Sequence, residues 1–318
     1  MNFHGLIHPF PVNRPLTELE IQRRLKIDKP SQSKPRNQLS VIKMNSTFLE
    51  CVDKFHKEKG IISAASLTFM TIFAAMGLSA LFFALRDWPS LTPSEKKEEI
   101  IFLLIVILVC FAFVAFFWFK IFKYEFRRFT HYPMRFNRKN RMVYVTRLDG
   151  SVMMERWDKL FFVLADLETA DEGMAEARLH RLAEDGKTVL ETFALARYGD
   201  LDNENVCCQW EFIRRYMEKG PKALMDDVSV VMDIADRRET FWDGYAMLAA
   251  EDAIRGWDIA LFPVNFWYAL GRWVAMHTSK IPVWPPEVEA ECQIDPDDPY
   301  IRDRDNLAEP WDRFEDEG

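Results

Sequence analysis

The sequence predicts an α+β membrane protein. A transmembrane helical hairpin comes first, then an antiparallel β domain closed by a helix, then a helical region. Three observations carry that expectation. Two uncharged apolar runs, 61–85 and 100–119, stand on either side of a short polar loop. Beyond them the hydrophobic pattern changes to short runs rich in β-branched and aromatic residues, separated by turn residues. Basic residues flank the paired runs on both outer sides, whereas the loop between them is slightly acidic.

At about 1.5 Å of rise per residue, each run reaches the roughly 30 Å of a bilayer core. Both runs are apolar on every face, so neither has the one-sided stripe of a surface helix. The alternative is the buried hairpin of a soluble domain. Pro89 and Pro93 keep the two helices from fusing, and Ser94 precedes a Glu-rich first turn, a normal helix start. Residues 1–60 hold eleven Lys/Arg against six Asp/Glu, and residues 120–147 hold nine against one. The loop 86–99 holds three against four, and residues 148–318 hold 18 against 38. The excess of Lys/Arg on the outer flanks predicts spans of about 61–85 and 100–122 with both termini in the cytoplasm. Lys120, Lys123, Arg127 and Arg128 stand where their stems can reach anionic headgroups, and Trp88 and Trp118 are candidate interfacial anchors.

In chain order, residues 1–44 read as an extended Pro-rich arm. Prolines 9, 11, 15, 30 and 35 and a polar mixture argue against a packed domain, and the first 30 residues show no signal peptide. Within the arm, Thr17 followed by Glu20 predicts a short capped helix. His4 and His8 have the spacing of a helical metal pair, but Gly5 and Pro9 disfavour the helix. Residues 45–130 form the next segment. Its start, NSTFLECVDKFHKEKG, reads as an amphipathic helix leading into the first span, with Phe48, Leu49, Val52 and Phe55 on one face.

Residues 131–220 carry the β domain. Met134–Asn137, 142–147 and 151–156 are strand-like runs, split by Arg138-Lys139-Asn140 and by Asp149-Gly150. Asp-Gly between such runs is a strong hairpin signal. Trp157 and 160–164 follow, and 175–183 and 188–196 then flank the turn Glu184-Asp185-Gly186-Lys187. From Asn203 the period becomes helical, through Val206, Trp210, Ile213 and Met217, until Gly220-Pro221 stops it. Several antiparallel strands followed by one closing helix is the order of a pleckstrin-homology-like (PH-like) domain; a generic α+β sandwich is the alternative. Trp157 is expected in its core. Gly186-Lys187-Thr188 has the end of a P-loop but not its earlier glycine, because position 181 is Arg181.

Residues 221–283 read as helical. The stretch 252–276 is interrupted by Asp258, Pro263 and Arg272, which leaves too few clean apolar residues for a third span and suggests a buried or interfacial helix pair. Residues 284–318 read as an acidic extended tail, in which Asp295, Asp297 and Asp298 have half the pattern of a calcium loop without its glycine. The five cysteines, an odd number without regular spacing, make no disulfide framework or zinc site. No cofactor or metal is expected.

The lead-in, the hairpin, the block RFNRKNRMVYVTRLDG with WDKL after it, and the late PVWPPEVEAECQIDPDDPY together resemble an uncharacterised family of bacterial inner-membrane proteins. Members are commonly encoded beside type VI secretion effector and spike genes. The resemblance implies a place in an effector locus. It leads us to expect a non-enzymatic inner-membrane immunity protein that binds a cognate toxin through its cytosolic part. The alternatives are an accessory or scaffold protein docking an effector or secretion component, and an enzyme without a recognisable motif. The resembling motifs carry no functional residue across. Candidate membrane-surface contacts are therefore read from charge: Lys120, Lys123, Arg127 and Arg128 with the cluster Arg135, Arg138, Lys139 and Arg141. That basic cluster suits anionic lipids, whereas the acidic residues that dominate the rest of the expected cytosolic mass suit a basic protein partner and argue against nucleic acid.

Overall fold

The computed structural model describes residues 9–88, 92–121, 124–166, 175–198, 204–228, 230–254, 256 and 258–306. The fold is α+β, with two long apolar helices and two antiparallel sheets. The chain divides into two compact units. The first comprises residues 1–58, 129–239 and 281–318, and the second residues 59–128 and 240–280.

The first unit holds the sheets. Strands β1 (Arg14–Pro15), β7 (Phe161–Asp166), β8 (Ala175–Leu182) and β9 (Thr188–Tyr198) form one, in the order β1-β9-β8-β7. Strands β2 (Val41–Met44), β3 (Phe48–Cys51), β4 (Met134–Asn137), β5 (Met142–Thr146) and β6 (Val152–Arg156) form the other, in sequence order. Gly150 has φ +91°, the left-handed backbone that suits glycine in the β5–β6 turn. At Trp157 a single 3-10 turn carries the chain from one sheet to the other. The side chain of Trp157 is fully buried, with its ring 4.6 Å from Phe162, 5.8 Å from Trp210 and 6.1 Å from Phe136. Both sheets share this core with helix α4 (Glu204–Lys219), which contributes Val206, Trp210, Ile213 and Met217. These are the positions that the helical spacing marked.

Three expectations change. The segment after Asn45 forms β3 rather than an amphipathic helix. Asn45 Oδ1 accepts the N–H groups of Thr47 (2.8 Å) and Phe48 (2.9 Å), a local turn that folds β2 back on β3. The same side-chain chemistry serves a helix cap and a hairpin turn, and pairing with β4 decides between them. The Pro-rich arm packs as well. Helix α1 (Glu18–Gln22) carries the predicted capping box of Thr17 and Glu20, and β1 pairs with β9. In the acidic tail, helix α7 (Pro286–Glu291) buries Val288 beside Phe48, Tyr144 and Trp284, and Arg302 bridges Met44. Residues 307–318 of that tail lie outside the described residues.

The second unit contains α2 (Ile61–Asp87), α3 (Pro93–Phe116), α5 (Phe241–Ile254) and α6 (Asp258–Thr278). Helices α2 and α3 run antiparallel. Phe73 stacks on Phe113 at 4.3 Å and Phe69 on Phe117 at 4.7 Å, while Gly77 lies against Cys110. Gly60 caps α2 in the left-handed region and has no side chain to offer. Glu125 supplies the missing acceptor, taking the N–H groups of Gly60 and Ser63 (2.8 Å each) and the hydroxyl of Ser63 (2.7 Å).

Candidate binding site in the β unit

The first unit contains a mainly apolar recess, a cavity of about 320 Å³. The end of β5 (Val145), the middle of β9 (Leu190 and Phe193), the start of β4 (Met134) and the arm residues Pro9 and Phe10 line it. Met134 and Val145 are direct cross-strand partners and so share a face, and the pairing of β1 with β9 brings the arm alongside. Its polar side is a set of closed ion pairs. Arg147 donates to Glu191 from Nε (2.7 Å) and Nη2 (3.0 Å), and Arg181 donates to the same carboxylate at 2.8 Å from Nε. Burial alone would raise the Glu191 carboxyl; the two guanidinium groups outweigh it and hold it below the usual range.

A second charged group lies in the same unit. Lys54 and Arg178 both donate to the fully buried Glu176, at 2.5 and 2.6 Å, and the Phe10 ring faces both cations. Burial lowers the Lys54 ammonium, partly countered by Glu176. Glu20 binds Arg14 at 2.6 and 2.8 Å, and His180 lies 3.3 Å away. Burial raises the Glu20 carboxyl, but Arg14, His180 and the N–H of Thr17 outweigh it and leave it well below the carboxylate range. Chemically the recess suits an apolar side chain presented between charged neighbours. Cys51 is buried and its thiol is pushed up to about 12, so it has no thiolate character at neutral pH. Among the described residues no group of three His, Cys, Asp or Glu side chains could hold a metal ion.

The basic residues singled out from the sequence meet different fates. Arg127, Arg128 and Lys139 are exposed, and Arg138 is half-buried against Gly220. Arg141 is paired with Asp158 (2.5 Å) and Glu218 (3.0 Å). The side chain of Lys120 and the whole of Lys123 lie outside the described residues. Arg135 is not a surface residue. It is buried between the rings of Phe48 (4.4 Å) and Trp284 (4.9 Å) and donates to Glu50 at 2.8 Å, with Glu289 at 3.0 Å. Burial would lower its pKa, but the two carboxylates raise it instead. The sequence offered no sign of this, because Glu50 and Trp284 are brought to Arg135 by β3–β4 pairing and by the tail. Lys54, Glu176 and Phe10 were missed for the same reason: each is unremarkable until the sheets close.

A family model described as a family of unknown function, DUF6708, matches residues 111–296. No curated protein and no solved structure gives a match.

Proposed function

We propose that this chain, which belongs to the DUF6708 family, is a two-span bacterial inner-membrane immunity protein whose cytosolic β unit binds a cognate toxin. The observation that carries the membrane reading is exposure. Leu78, Leu108 and Phe111 are each more than two-thirds exposed on helices that lack charge over their apolar lengths. Contiguous apolar surface of that extent is stable in lipid and unstable in water. The basic outer flanks favour cytoplasmic termini, and exposed Arg127, Arg128 and Lys139 suit contact with anionic headgroups.

The β unit supports a PH-like reading: a strand order that changes sheets at Trp157, followed by the closing helix α4. A non-enzymatic role agrees with the way the buried ionisable groups are engaged, Glu176, Glu50 and Glu20 each being held by cations. Residues 148–318 hold 18 basic against 38 acidic residues, so a basic partner would be drawn in faster at low salt. The resemblance to secretion-locus proteins implies a place in an effector–immunity or effector-delivery locus. Deleting the gene should sensitise cells to toxin delivered by sister cells and leave their own secretion intact. Lost secretion without sensitisation would instead identify a docking scaffold.

A further inference from the structure

Helices α5 and α6 are absent from the two-span picture, and their exposed surface is apolar. Ile259 is 86% exposed, and Phe262, Val264 and Phe266 are between 40% and 47% exposed. The contacts of α6 fix its level against α2. Trp267 Nε1 donates to Thr68 Oγ1 at 2.7 Å. A Cβ on Gly271 would stand 2.6 Å from the backbone N of Ala64, and Arg272 Nη1 donates to the Lys59 carbonyl at 3.2 Å. Residue numbers rise on α6 as they fall on α2, so the helices are antiparallel. The start of α6, nine residues before Trp267, therefore lies about 14 Å further along α2 than Thr68. That is the level of Gly77, which faces Cys110. Those two residues lie near the middle of the two apolar runs. Helix α5 returns beside α6, with Phe241 against Phe266 (5.2 Å) and Tyr245 against Phe262 (5.7 Å).

We infer that α5 and α6 form a re-entrant hairpin that enters the bilayer beside α2 from the Gly60 end, turns near mid-depth and returns, with acyl chains covering Ile259, Phe262, Val264 and Phe266. The inference rests on the two-span reading of α2 and α3. Continuity assigns the occupant. The apolar face of α6 extends along a helix already packed on a span, at depths where the neighbouring surfaces of α2 and α3 are themselves apolar and exposed. The bond between Trp267 and Thr68 satisfies two polar groups at the depth where water thins out. Glu251 and Asp252 belong to the last turn of α5, and Asp258 begins α6. Ionisable groups at such depth are costly in hydrocarbon, so the inferred hairpin requires that they keep pairing or water with them.

The test places single spin labels on the full-length chain in phospholipid vesicles, after Cys207→Ser removes the partly exposed thiol. Labels go at Ile259→Cys, Val264→Cys and Trp273→Cys, with Leu78→Cys as the reference within α2 and Met154→Cys as the aqueous reference. Collision with oxygen, which partitions into lipid, is compared with collision with a water-soluble nickel chelate. The expected result is an oxygen-to-nickel ratio at 259 and 264 several-fold above that at 154, rising from 273 through 264 to 259. Nickel-accessible labels at 259 and 264 with a lipid-type label at 78 would overturn the inference and leave the two spans standing. So would labels at 259 and 264 shielded from both reagents, which would mean that another protein surface covers the face. A nickel-accessible label at 78 would remove the two-span reading and the hairpin with it.

Discussion

Arg135 shows how far a residue's role is set by its surroundings. A guanidinium held by Glu50 and Glu289 and stacked between Phe48 and Trp284 is committed to the interior. Arg135→Ala would leave Glu50 buried without its cation and should cost about 3–5 kcal/mol. A headgroup contact would cost far less, so urea titration of the detergent-solubilised chain separates the two roles. Trp157 is the second residue-scale test. Trp157→Ala removes the side chain that both sheets and α4 close upon, and should cost roughly 3–5 kcal/mol in the same titration. Glu20 gives a pH dependence. Its folded pKa lies below the unfolded value of 4.5, so its contribution is fully present above about pH 4.5 and is lost as the pH falls toward the folded value. Glu20→Gln should therefore lower stability at pH 7 and flatten the acid limb of the stability curve. An unchanged acid limb would mean that other carboxylates govern it.

At the scale of elements, the strands after residue 130 and the hairpins between neighbouring runs were legible, and the pairings between distant stretches were not. Met134–Asn137 and the runs on either side of Asp149-Gly150 declare themselves by period and turn chemistry, and they appear as β4, β5 and β6. The capping box at Thr17 was equally plain, because a cap is settled within four residues. Strands β1, β2 and β3 were hidden. Arg14–Pro15 is too short for any pattern and is held by β9, and Val41–Met44 and Phe48–Cys51 become strands only by pairing with each other and with β4. Of the candidate site, the basic residues were visible as a cluster, but their ion pairs depend on carboxylates distant in sequence. The start of α2 offers an element-scale test. Glu125→Ala should unpair the N–H groups of Gly60 and Ser63 and destabilise the second unit by about 1–3 kcal/mol. Faster amide exchange confined to the first turn of α2 is the expected sign.

For the whole molecule, topology is the decisive measurement. Reporters fused at residue 40 and after residue 318 should both report the cytoplasm, and one placed at Ser90 the opposite side. The reverse pattern would put the β unit on the outside and remove the proposed cytosolic encounter. Binding of the full-length chain in nanodiscs to the neighbouring gene's product should weaken markedly between low and physiological salt if the acidic surface attracts it. Affinity indifferent to salt would assign recognition to the apolar recess instead.

The first unit is stitched from three stretches of chain, with helices of the second unit between them. That arrangement sets an order on synthesis. When Phe48–Cys51 leaves the ribosome, its partner Met134–Asn137 has not been made, and the whole of α2 and α3 is translated in between. The partner of Met44 at Arg302 arrives only after α5 and α6. Loop closure over such distances is slow, whereas apolar helices insert as they emerge. On the proposed two-span reading, α2 and α3 would be in place before the sheets can finish, and the β unit would complete itself while tethered. A chain ending at residue 280 should insert normally yet leave its β unit protease-sensitive, because α7 and the Met44–Arg302 bridge would never arrive.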